Sequence, residues 1–137
     1  MSIVWPMLAQ IGWTLLLYAW LTVARKRAVE GGEVAYGDFA RHDEPHHVAR
    51  ITYNLANQFE LPVIFYALVV LLIALNKVTV IDIVAAWIFV AGRVVHTLVQ
   101  TLTDNVSLRG QVFMINVIGV LILGCHAVLL AFESVAR

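Results

Sequence analysis

Charge is scarce in this sequence. Asp, Glu, Lys and Arg make up only 13% of the 137 residues, while 61% are hydrophobic; a soluble domain carries about 25% charged residues. A water-soluble fold of this composition would leave large apolar patches exposed, so the expectation is an integral membrane protein. Neither sign is in surplus. Nine basic residues balance nine acidic ones, so no global field recruits nucleic acid or an acidic partner. Cysteine occurs once, as Cys125, which excludes an internal disulfide and a thiol-pair redox mechanism. Nothing basic precedes the first apolar run, and "ARKR" follows it, so that run reads as a retained span rather than a cleaved leader.

Four apolar runs are present: Ile3 to Val23, His46 to Asn76, Val80 to Leu102 and Leu108 to Phe132. Each is near the ~20 residues that a helix needs to cross a bilayer. Helices are expected because hydrocarbon offers no partner to an open sheet edge. The fold class is therefore an all-α integral membrane bundle of four transmembrane helices, with residues 1–137 as a single domain. A long polar loop, "RKRAVEGGEVAYGDFARHDEPHH", joins the first two spans. Thr79 and Asp82 have capping-box spacing at the start of span three. Ser107 is the expected cap of span four, and Asp43, Glu44 and Pro45 mark the start of span two. Arg25, Lys26, Arg27, Arg41 and Arg50 lie in or beside the long loop, against Lys77 and Arg137 at the other side. The positive-inside rule then puts the loop in the cytoplasm and both termini outside. Trp5 and Trp20 fit interfacial anchors.

Polar residues inside the spans are confined to one leaflet. Arg50, Tyr53, Asn57 and Glu60 step by 3, 4 and 3 along one helical face of span two. Arg93, His96 and Gln100 do the same on span three, and Arg109 opens span four. An isolated charge at mid-bilayer costs about 2.5–3.5 kcal/mol, so Glu60 and Arg93, expected at similar depth, are expected to pair. The stripe above them reads as the wall of a polar cleft whose positive charge suits an anionic ligand. Pro62 should remove one backbone hydrogen bond and kink span two. "RHDEPHH" places His42 and His46 four apart, but Pro45 between them argues against a helical metal site, and no metal is expected. Cys125 and His126 read as residues of a helix interface. Polarity that stops halfway across the bilayer argues against a channel.

"NQFELP" in span two, "GRVVHT" in span three and Arg109 together resemble the MAPEG family, the membrane-associated proteins in eicosanoid and glutathione metabolism, over nearly the whole chain. The bacterial members are nearest, which implies a bacterial inner membrane. The resemblance implies a homotrimer that binds glutathione as cosubstrate in clefts between subunits near the cytoplasmic leaflet, alongside lipid and hydrophobic small molecules. Carried over by position, Asn57 and Glu60 match residues that hold the glutathione backbone groups, and Arg93 matches the arginine that anchors that glutamate. His96 matches a glutathione-contacting histidine, and Arg109 the arginine that stabilises the thiolate. Arg50 neighbours the family's span-two arginines. Tyr53 and Ala56 stand where the prostaglandin synthase branch has arginines, and Gln100 where it has a tyrosine. The implied activity is a glutathione-dependent transferase or peroxidase acting on hydrophobic electrophiles. The alternative is a non-enzymatic binder of an anionic lipid or small metabolite.

Overall fold

The structure is a computed structural model that describes residues 2–135; Arg137, counted above for orientation, lies outside them. The described chain holds no strand. Its helices are α1 (Val4–Glu30), α2 (Tyr36–Ala40), α3 (His46–Ala56), α4 (Leu61–Ala74), α5 (Val80–Leu102) and α6 (Val106–Val135), with a single 3-10 turn at Asn57–Phe59 between α3 and α4. Four segments are long and apolar enough to cross a membrane: α1, the α3–α4 pair, α5 and α6. Many large apolar side chains, among them Leu15, Leu16, Val80, Leu129 and Phe132, face outward. That pattern suits helices whose outer surface meets lipid rather than water. Trp5 and Trp20 are also exposed on α1.

Local chemistry sets the boundaries. Thr79 and Asp82 form the expected capping box, with the Thr79 amide donating to Asp82 Oδ2 at 2.7 Å and the Asp82 amide to Thr79 Oγ1 at 3.4 Å. The preceding turn is closed by Asn76 at φ 53, a left-handed residue that lets the following Lys77 amide reach back to the Leu72 carbonyl at 3.2 Å. The cap of α6 is Asn105 rather than Ser107. Its Oδ1 accepts the Leu108 amide at 2.9 Å, and the helix starts two residues earlier than the apolar run suggested. Helix α1 runs on through the basic cluster to Glu30, and its Arg25 fastens the long loop. Arg25 pairs with Glu44, donates to Thr52 Oγ1 at 3.2 Å and lies over the Phe39 ring at 5.0 Å.

Span two is interrupted, not merely kinked. α3 ends at Ala56, the 3-10 turn follows, and Glu60 sits at φ −100, ψ −103, outside the helical region. Pro62 falls in the first turn of α4, where its missing N–H costs no helical bond. Two apolar cores flank the break. Leu17, Leu21, Ala28, Val48, Ile51 and Leu55 join α1 to α3 at the loop end. At the other end α4, α5 and α6 pack around Phe65 and Phe89, whose rings stack at 4.3 Å.

The α5–α6 contact depends on missing side chains. A Cβ on Gly119 would sit 3.0 Å from the Ala85 carbonyl oxygen and 3.1 Å from Phe89 Cβ. A Cβ on Gly92 would overlap the Asn116 side-chain oxygen, which can rotate away. Gly119→Ala is therefore expected to cost about 1–3 kcal/mol, the range of an overpacked core, and Gly92→Ala less. Unfolding titrations in detergent check this, and equal losses would contradict it.

Candidate functional site at the broken helix

The break frees backbone and amide groups at a depth where water cannot serve them. A buried polar layer answers this need. Gln10 on α1 donates to Gln58 Oε1 at 2.9 Å, and Gln58 donates to the Asn54 carbonyl at 3.2 Å. Asn54 donates to Gln100 Oε1 at 2.8 Å and accepts the Thr97 hydroxyl at 2.9 Å. Thr97 in turn accepts the Trp13 indole N–H at 3.2 Å. Asn57 shares the Gln100 oxygen at 3.2 Å. α1, α3 and the 3-10 turn are thus each tied to α5.

Arg93 and Glu60 do not form the expected ion pair. Arg93 is fully buried, and its Nη2 donates to the Asn57 backbone carbonyl at 3.1 Å. That carbonyl would serve the Leu61 amide in a continuous helix, and the turn at Glu60 leaves it open. The register between spans two and three is as expected, but Arg93 holds the interrupted backbone instead of the carboxylate. Its Nε and Nη1 have no partner among the described residues. Glu60 faces outward with no ion pair among the described residues. The four-residue stripe also divides at the break, because Asn57 and Glu60 lie beyond the end of α3.

Above this layer, at the loop end, lies a cleft of about 230 Å³ whose lining includes Arg50, Tyr53, Gln100, Asp104, Asn105 and Arg109. Four of the eight residues singled out from sequence therefore share one cavity: Arg50, Tyr53, Gln100 and Arg109. Arg50 is balanced within the chain, pairing with Asp104 and donating to the Thr101 carbonyl at 3.2 Å. Arg109, in the first turn of α6, has no side-chain hydrogen bond or ion pair among the described residues, and its charge adds to that of the helix N-terminus. Asn57 reaches the cleft through Gln100, and Arg93 lies behind Asn57. His96 is buried with its ring 5.8 Å from Phe113 and with Nδ1 unpartnered. Glu60, Tyr53 and Arg109 are exposed on the surface.

Sequence reasoning missed Gln10, Trp13, Thr97 and Asp104. Gln10 was detectable as an amide isolated in an apolar run, whereas Asp104 lies 54 positions from Arg50 and carries no local signal. The family model described as the MAPEG family matches residues 3–129. No curated protein and no solved structure matches the chain.

Proposed function

From the premise that this chain belongs to the MAPEG family, as the match over residues 3–129 shows, we propose that it is a membrane-embedded glutathione-dependent transferase or peroxidase acting on hydrophobic electrophiles. The observation that carries this reading is Arg109, an unpaired guanidinium at a helix N-terminus that opens into a polar cleft. Glutathione reacts as its thiolate, and a fixed positive charge at a helix N-terminus favours that form. Arg109 would hold the sulfur anion, while Tyr53 and Gln100 would contact the peptide groups. Glu60, level with the Arg93-bound turn, would face the glutathione ammonium. Asn57 and Arg93 would set the wall, and Arg50 and His96 its upper and inner limits. The thiolate sulfur would bond to the electrophilic carbon as the leaving group departs with the bonding pair.

The exposure of Glu60 supports assembly. A carboxylate facing lipid near mid-bilayer costs about 2.5–3.5 kcal/mol, and a neighbouring copy would cover it. We infer a homotrimer in which each cleft is completed by the next subunit. The long loop and Arg109 lie on the cytoplasmic side, both termini lie outside, and the membrane is a bacterial inner membrane.

Conjugation of glutathione to 1-chloro-2,4-dinitrobenzene, and glutathione-driven reduction of a lipid hydroperoxide, by the protein in liposomes test the enzyme reading. Rates above those of empty liposomes in either assay are expected. Binding of glutathione without turnover in both would favour the binder alternative. The Arg50–Asp104 pair removes one positive charge from the cleft, which counts against an anionic lipid there as much as against glutathione.

A further inference from the structure

A second polar feature lies at the opposite end of the bundle. His126 on α6 places Nδ1 3.0 Å from both carboxylate oxygens of Asp82 on α5. Asp82 is almost fully buried and already accepts the Thr79 amide and hydroxyl, each at 2.7 Å. An acceptor-only carboxylate so engaged faces Nδ1 as an N–H. The other ring nitrogen, Nε2, is then a lone-pair acceptor with no hydrogen-bond partner among the described residues. An open groove of about 530 Å³ on the outer face of α5 and α6 is lined by this pair and by Ile118, Leu121, Ile122 and Leu129. That volume falls within the ~300–1,000 Å³ of small-molecule sites, which combine apolar walls with a few placed polar groups.

Arg109 and His126 are 17 positions apart along α6, a distance of about 25 Å at 1.5 Å per residue. This groove is therefore separate from the glutathione cleft and does not depend on that reading.

We propose that it is a second ligand site, which takes a membrane-soluble phenol whose hydroxyl donates to His126 Nε2 while its apolar tail lies along Leu121 and Ile118. Three observations select this chemistry. The walls are apolar, so the ligand body is apolar. No Lys or Arg lines the groove and a carboxylate stands behind the imidazole, so an anionic head group is disfavoured. An acceptor backed by a carboxylate favours the more acidic donor, which places a phenol ahead of an aliphatic alcohol. Asp82 sits in the first turn of α5, near the end of its span, so the hydroxyl would lie close to the membrane surface with the tail directed into hydrocarbon.

The test uses the full chain in lipid nanodiscs, labelled with 15N-histidine, titrated with 4-octylphenol and with its methyl ether, 4-octylanisole. The phenol is expected to shift the His126 Nε2 resonance and to bind about 5-fold or more tightly than the ether, the worth of one hydrogen bond. His126→Phe, followed by tryptophan fluorescence, is expected to remove that preference. Leu121→Trp narrows the groove without touching the pair and is expected to abolish the shift in a variant whose fold is not at risk. Equal affinity for phenol and ether, binding of neither, or a phenol shift unchanged in Leu121→Trp would overturn the proposal.

Discussion

Arg109→Ala is expected to lower kcat/KM for glutathione conjugation about 100-fold or more, the usual cost of removing a group that stabilises developing anionic charge. The same change is expected to leave stability within about 0.5 kcal/mol, as for a surface substitution away from any packed feature. Both halves follow from one observation: the Arg109 side chain is exposed and makes no hydrogen bond or ion pair among the described residues. Its backbone amide bonds the Asn105 carbonyl at 3.1 Å, which alanine preserves. Arg109→Lys should recover only part of the rate, because an ammonium keeps the charge and loses the planar fork. Initial rates and thermal melts on the same preparations check this. Full activity in Arg109→Ala would remove the thiolate role.

Arg93→Ala has the opposite profile, with stability failing first. Arg93 is among the largest fully buried side chains, so its truncation leaves a cavity and an unserved Asn57 carbonyl. The two effects together are expected to cost about 3 kcal/mol or more. Arg93→Met fills most of the volume and isolates the lost hydrogen bond, with an expected cost of about 1–3 kcal/mol. Glu60→Gln is expected to change stability little, because Glu60 has no ion pair among the described residues. Unfolding titrations of the three variants decide the matter. A loss in Glu60→Gln as large as that in Arg93→Met would restore a carboxylate partner for Arg93.

The contrast between these arginines shows what the sequence could and could not disclose. The four spans, the Thr79 capping box and the polar stripes at the loop end were legible because periodicity and cap chemistry are local, but polarity is not confined to that end, since Asp82 and His126 pair at the other. The level at which Arg93 meets span two was legible from helix rise alone. Its partner was not. A stripe counted at 3.6 residues per turn assumes an unbroken helix, and the backbone leaves that path at Asn57. Once it does, the carbonyl of Asn57 competes with the Glu60 carboxylate for the same guanidinium and is held by it. Arg50 was similarly read as cleft charge, whereas Asp104 in the α5–α6 turn neutralises it. The link from Gln10 through Gln58 and Asn54 to Gln100 joins residues up to 48 positions apart, a pairing that no local pattern encodes. The Asp82–His126 pair was hidden for the same reason: its members are 44 positions apart and meet only because α5 and α6 pack side by side.

The central claim is that the cleft at the broken helix binds glutathione. Calorimetric titration of glutathione into the purified protein in nanodiscs tests it most directly, with Asn57→Ala as the control. Saturable binding is expected, weakened about 10-fold or more in the control, since Asn57 ties the turn at Glu60 to Gln100 on the cleft wall and loss of a buried hydrogen-bonding group costs about 1–3 kcal/mol. No heat of binding to the folded wild-type protein, or equal affinity in Asn57→Ala, would contradict it.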